Sequence, residues 1–166
     1  QRPSVCNAIE TVLIDEELAE NELKNLLQPL VDANVELRGD AFTLNQIPSA
    51  IPVLESDWDE EFLSLVICVK VVSGYDEAIK HIKTYSTKHS EAIVTSNYFV
   101  AQNFLNDIDA AAVYVNASTR FTDGEVFGFG GEMGISTQKL HARGPIGLEA
   151  LTSYKYVILG DGQIRE

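Results

Sequence analysis

Cysteine, positive charge and long apolar runs are all scarce in this sequence, and each scarcity removes a class of protein. Two cysteines, Cys6 and Cys68, are too few for a disulfide framework and suit a reducing, cytoplasmic setting. Only 12 Lys and Arg stand against 25 Asp and Glu, for a net charge of −13. A chain this acidic lacks the cations that a phosphate backbone demands, which argues against nucleic acid as a partner. No apolar stretch approaches the roughly 18 residues of a membrane helix, so no membrane partner is expected. The longest, Leu65 to Val69, resumes after Lys70 with Val71 and Val72, a length that suits a strand. Gln1-Arg2-Pro3-Ser4 leads into a polar stretch where a secretory signal would have an apolar core. The missing initiator Met suggests a piece or a processed chain.

What is present fits one globular domain. The 166 residues are 45% hydrophobic and 22% charged, a mix that supports a packed core at a length typical of single domains. The charge is uneven. Residues 1–116 carry most of the acidic excess, whereas residues 117–145 hold three basic and three acidic side chains together with His141. An anionic ligand would meet least repulsion in that neutral stretch.

Strand and helix signals alternate from residue 10 to 115. A short strand, Glu10 to Ile14, precedes a helix over about 16–33 whose Leu18, Leu23, Leu26, Leu27, Leu30 and Val31 form an apolar stripe, with Asp15 as its N-cap. Val35 to Leu37 reads as a strand stopped by Gly39, and residues 40–56, with Pro48 and Pro52, as irregular connection. The run Leu65–Val72 suits a strand buried on both faces. A helix over Asp76–Thr84, a strand at Ala92–Val94, a helix over Tyr98–Ile108 and a strand at Ala111–Val115 follow. This order predicts an α/β layer fold with a mainly parallel sheet and flanking helices. Residues 117–147 hold seven of the eleven glycines and little periodicity, as a loop around a site would. Leu148–Leu151 reads as a short helix and Tyr154–Leu159 as a last strand outside the alternation, suited to pairing with a neighbouring domain or subunit. The expected division is a catalytic unit over 1–147 and a C-terminal strand segment over 148–166.

Several residues could carry chemistry. Cys6, in Arg2-Pro3-Ser4-Val5-Cys6-Asn7-Ala8, is a nucleophile if its thiol is activated and an inert thiol otherwise. A functional thiol is expected to react well below the free-cysteine pKa of about 8.5. Cys68, inside an apolar run, reads as core. Arg120 follows the strand Ala111–Val115, at the edge where open α/β sheets bind ligands, and can fork two hydrogen bonds to a carboxylate or phosphate. Ser118 and Thr119 add neutral donors. His141 and Arg143 are anion-contact candidates, while His81 and His89 lack any metal-ligand arrangement. The acidic run Glu55, Asp57, Asp59, Glu60, Glu61 reads as a solvated face. Gly124–Gly134 could bring backbone amides to an anion, but it does not follow a strand in the dinucleotide pattern, so it is no nucleotide motif.

Taken together, these segments resemble the gamma-glutamyl phosphate reductase family of the aldehyde dehydrogenase superfamily. Arg2 through Thr11 is similar to that family's catalytic-cysteine segment. Val72, Ala78-Ile79-Lys80-His81-Ile82 and Tyr85 through Ile93 look like its diagnostic pattern. Val115 through Phe121, Gly134 through Thr137 and His141 through Pro145 resemble further blocks, in order along essentially the whole chain. The resemblance implies an aldehyde-dehydrogenase-like fold and the reduction, with NADPH, of L-glutamyl 5-phosphate to glutamate 5-semialdehyde and phosphate, the second step of proline biosynthesis from glutamate. It implies Cys6 as nucleophile, Glu61 on the nicotinamide ribose although Leu63-Ser64-Leu65 replaces the usual Phe-Gly-Pro, and Ser118, Thr119 and Arg120 on the substrate's α-carboxylate. His141 and Arg143 are expected as further substrate contacts. It also implies NADP(H) bound mainly by an N-terminal dinucleotide-binding domain absent from this chain, little activity of this piece alone, a homo-oligomer and a possible glutamate 5-kinase partner.

Two other readings are open. Cys6 with His89 or His141 could make a cysteine hydrolase or acyltransferase, and the chain could be a non-catalytic oligomerisation piece.

Overall fold

A computed structural model describes all 166 residues. Strand β1 (Thr11–Asp15) runs into helix α1 (Glu16–Asp32), and Asp15 closes one element and opens the next. Its Oδ1 accepts the Glu17 N–H at 3.0 Å, satisfying one of the unpaired donors of the first turn. Ala19, Leu23 and Leu27, four residues apart, form the buried line of α1. Leu18 and Leu26 lie one position off that line and stay about half exposed, so the apolar face is narrower than the leucine pattern predicts.

Strand β2 (Glu36–Gly39) leads directly into helix α2 (Ala41–Gln46), and β3 (Ile51–Pro52) follows. These two elements lie in the stretch expected to be irregular. Six residues are too few to show a helical stripe, and Pro52 sits on an edge strand, where no ladder donor is needed. Asp40 anchors the join. One carboxylate oxygen caps α2 at the Thr43 N–H (2.9 Å) and the other accepts the Val71 N–H (2.7 Å). Gly39 permits this approach, because a Cβ there would lie 2.5 Å from the Thr43 methyl.

Strand β4 (Val66–Val72) is central in a four-stranded sheet ordered β1-β4-β2-β3, parallel throughout. Ile67, Cys68 and Val69 are buried there, as the near-continuous apolar run predicts. Burial pushes the Cys68 thiol up to about 12, in keeping with a core role. Ile14, Leu23, Leu27, Leu37, Ile67 and Val69 form the main core, where trimming one leucine to alanine costs about 2–5 kcal/mol.

Helix α3 (Tyr75–Tyr85), β5 (Ser90–Ile93), α4 (Tyr98–Asp107) and β6 (Ala112–Val115) complete the alternation. β5 and β6 pair in parallel as a second, separate sheet, with Ile79, Phe104 and Ile108 as its small core. The alternation therefore folds into two parallel sheets.

After β6 the chain has a 3-10 turn, Thr119–Phe121, and two short antiparallel strands, β7 (Ile135–Ser136) and β8 (Gly144–Pro145). Leu148–Leu151 is a turn in place of the expected short helix. Tyr154–Leu159, expected as a strand, pairs with nothing in the chain, and its side chains stand in solvent, Leu159 at 92%.

Candidate active site

Cys6 sits on a tight turn closed by the Ala8 N–H on the Val5 carbonyl at 3.0 Å. Cys6 and Asn7 occupy its corners and point opposite ways, Cys6 being exposed and Asn7 only 6% exposed. Asn7 is bonded on every polar atom it brings inward. Its Nδ2 donates to the carbonyl oxygens of Thr122 (2.9 Å) and Arg120 (3.4 Å). Its Oδ1 accepts from the Arg120 Nη1, and its backbone carbonyl accepts the Thr119 hydroxyl at 2.7 Å. The turn that carries Cys6 is thus fastened to the 119–122 segment by four bonds from one residue, two of them closed to water, where an unmade bond costs about 1–3 kcal/mol.

The 119–122 segment reaches Cys6 by doubling back. Asn116 leaves β6 in the left-handed region (φ 55°), and its amide bonds both backbone groups of Thr95. The Ser118 hydroxyl accepts the Arg120 N–H at 3.2 Å, setting the 3-10 turn. Two residues beyond Arg120, the Thr122 hydroxyl lies 2.7 Å from both the Ser90 and the Tyr114 hydroxyls. The site therefore lies where the lead-in segments of β1 and β4, carrying Cys6 and Glu61, meet this returning turn, and not at the carboxyl edge from which residue 116 departs.

The charges around Cys6 oppose its ionisation. Partial covering of the thiol raises its pKa, and the carboxylates of Glu132 and Glu61 raise it further; its own backbone amide and the Arg120 guanidinium pull the other way. The net shift is upward, so the lowered thiol pKa expected from the sequence is not what this chain provides. Glu10, just ahead of β1, is pushed up to about 7 by burial and by Glu61. His89 is held below its usual range by burial, against the pull of Glu132 and Glu61.

The other expected site residues divide. Glu61 is exposed, accepts no hydrogen bond, and acts on Cys6. An exposed carboxylate with free acceptor capacity fits a ribose diol. Ser118 is exposed, with its hydroxyl proton unspent. Thr119 is buried at 7% and has given its hydroxyl to Asn7. Arg120 keeps its guanidinium partly free, with a buried Nε that has no partner. The structure does not bring His141 or Arg143 to the thiol. Arg143 is bonded to Asp109, Nη1 to the carboxylate at 2.8 Å and Nη2 to the carbonyl at 3.3 Å, while His141 Nε2 lies 3.0 Å from the Ala150 carbonyl. Neither His89 nor His141 bonds the Cys6 sulfur. Sequence reasoning missed Asn7, Glu132, Thr122 and Glu10. Asn7 and Glu10 lie within the segment already singled out around Cys6.

Residues 36–157 match the pattern of the aldehyde dehydrogenase family, a match that begins downstream of Cys6. The chain is similar over 165 residues to gamma-glutamyl phosphate reductase 1 of Bacillus licheniformis, at 63% identity, covering 99% of this chain and 40% of that protein. It is 61% identical to gamma-glutamyl phosphate reductase of Enterococcus faecalis over 99% of this chain and 40% of that one. The crystal structure of gamma-glutamyl phosphate reductase from Thermotoga maritima superimposes with a TM-score of 0.93 at 55% identity, over 100% of this chain and 40% of that chain. The chain thus spans about two fifths of the length of the relatives it matches.

Proposed function

The chain belongs to the aldehyde dehydrogenase family, and on that premise we propose that it carries the nucleophile of a gamma-glutamyl phosphate reductase, which reduces L-glutamyl 5-phosphate with NADPH to glutamate 5-semialdehyde and phosphate in the route to proline. The observation that carries this reading is the exposed Cys6 on a turn held rigidly by Asn7 to the Arg120 segment. The names of its relatives support the substrate.

Cys6 Sγ attacks the acyl carbon, forming the C–S bond of a thioester as the C–O bond to phosphate breaks. The thiol proton leaves with the phosphate, whose second pKa of about 6 lets it carry one. An acyl phosphate is already activated, so the raised thiol is matched to an electrophile with a good leaving group. The Cys6 amide, which already favours the thiolate, would stabilise negative charge on the acyl oxygen. Arg120, with an unspent Nε, and Ser118, with a free hydroxyl proton, would hold the α-carboxylate. Glu61 would hold the nicotinamide ribose, and the remainder of the dinucleotide would lie on the part of the relatives that this chain does not span. NADPH, when bound, would supply the hydride that, together with a proton from water, reduces the thioester to a thiohemiacetal. Collapse of that adduct breaks the C–S bond, releases the aldehyde and returns the sulfur as a thiol. His141 and Arg143, committed to Ala150 and Asp109, would act on the fold of residues 135–150.

Under this reading residues 1–147 are the catalytic unit and 148–166 a segment whose exposed Tyr154–Leu159 stretch would add as a strand to a neighbouring domain or copy of the chain. A kinase that makes glutamyl phosphate is the fitting upstream partner. The test is an assay of this chain with NADPH and acyl phosphate, alone and after addition of the rest of a relative's sequence. Turnover that appears only with the addition supports the reading; a chain inert in both arms contradicts it.

A further inference from the structure

Three hydroxyls form a line that ends on a buried histidine. Tyr114 OH lies 2.7 Å from Thr122 Oγ1, Thr122 Oγ1 lies 2.7 Å from Ser90 Oγ, and Ser90 Oγ lies 2.8 Å from His89 Nδ1. The other ring nitrogen, His89 Nε2, is buried and has no partner. The direction of the protons along this line decides what Nε2 is. If Tyr114 donates to Thr122, Thr122 to Ser90 and Ser90 to Nδ1, all three hydroxyl hydrogens are used and Nδ1 is an acceptor. The neutral ring then carries its proton on Nε2. In the opposite direction the Tyr114 hydrogen finds no acceptor in the chain, although the phenol is the most acidic hydroxyl of the three. Burial lowers the ring's pKa and so favours its neutral form, in which one nitrogen carries the proton.

The line also touches the Cys6 site. Thr122, whose hydroxyl sits in the middle of it, gives its carbonyl oxygen to Asn7, the neighbour of Cys6. Glu61 and Glu132 act on both Cys6 and His89. An unmatched donor this deep has already lost its water, so an oxygen brought to it forms a bond with no competing solvent.

Building on the reductase reading above, we propose that His89 is a neutral donor whose Nε2–H is reserved for an oxygen of the acyl phosphate at Cys6, and that Ser90, Thr122 and Tyr114 are positioning residues that fix its tautomer. A neutral donor suits a site already bordered by Glu61 and Glu132, since it binds oxygen without becoming a fixed partner of either carboxylate. The oxygen is either the acyl oxygen, where charge develops as the thiol attacks, or a phosphoryl oxygen.

The chain has three histidines, His81, His89 and His141, so 15N-histidine labelling and long-range 1H–15N correlation spectra report each tautomer separately. The expected result is Nε2–H on His89, shifting to a tautomer mixture in Ser90→Ala; an Nδ1–H tautomer in the unaltered chain would overturn the proposal. In the intact protein, assayed from semialdehyde, phosphate and NADP, His89→Leu is expected to lose about 100-fold. His89→Gln, whose amide N–H reaches the Nε2 position, should recover most of that loss. A loss expressed in the KM for phosphate identifies a phosphoryl oxygen, and one expressed in kcat identifies the acyl oxygen. Normal turnover in His89→Leu would overturn the proposal while leaving the reductase reading intact; absence of turnover in the unaltered protein would remove both.

Discussion

Asn7 donates its side-chain N–H to the carbonyl oxygen of Thr122 at 2.9 Å, joining positions 115 residues apart in the chain and fixing the turn that presents Cys6. The same side chain accepts from Arg120, so a single amide holds both sides of the site. Removing it strands buried backbone carbonyls and a guanidinium donor.

Asn7→Ala is therefore expected to destabilise the chain by about 1–3 kcal/mol, measured by urea denaturation. Asn7→Asp should be worse, because it sets a carboxylate oxygen against the Thr122 carbonyl in place of a donor. An alanine variant as stable as the parent would show that the turn is held by other means.

The Cys6 thiol should respond to the charges around it with a definite sign. Burial and the Glu132 carboxylate raise its pKa, so Glu132→Gln lowers it. The pH profile of iodoacetamide alkylation is expected to move to lower pH in that variant, with faster alkylation at neutral pH. Because Glu132 also accepts the Gly124 N–H at 2.9 Å, circular dichroism should accompany the kinetics. A profile displaced to higher pH would mean that Glu132 does not act on the sulfur.

Glu10 makes stability fall with pH in a defined window. Its folded pKa is about 7, raised by burial and by Glu61 from the usual carboxylate range of about 4.3. The folded chain thus holds a proton that the unfolded chain has released, and stability declines as pH rises from about 4.3 to 7. Glu10→Gln should flatten that stretch of the stability–pH curve and be the more stable protein at pH 8. Identical curves for parent and variant between pH 4 and 8 would contradict this.

Much of the fold is legible in the sequence, and particular residues show why some of it is not. Helix α1 announces itself through Asp15, the acidic first turn and the leucine pattern, and β4 through an apolar run interrupted only by Lys70. Helix α2 is invisible because it depends on Asp40 capping Thr43 while also holding Val71, a bond 31 residues away in sequence. The site follows the same division. Cys6 and Arg120 stand out by type and setting and Glu61 only through the family resemblance, and the structure gathers the three. Asn7 carries no local pattern, since its partners lie more than a hundred residues distant. His141 and Arg143 are anion-binding types, but Asp109 and Ala150 occupy them, and spacing along the chain does not disclose that.

The C-terminal segment should separate folding from assembly. Residues 154–166 are exposed throughout, and removing them takes nothing from either core. Truncation after Ser153 is expected to leave the denaturation midpoint unchanged and to reduce the sedimenting mass of the intact protein. Loss of folding on truncation, or an unaltered assembly, would contradict the proposed strand addition.

The central claim is that Cys6 carries the acyl group, and mass spectrometry of the protein quenched in acid after mixing with glutamyl phosphate tests it most directly. The account predicts an acyl adduct on the peptide holding Cys6, absent in Cys6→Ser, with Cys68 unmodified. An unmodified Cys6 peptide in a preparation that turns over substrate, or turnover that survives Cys6→Ser, would contradict it.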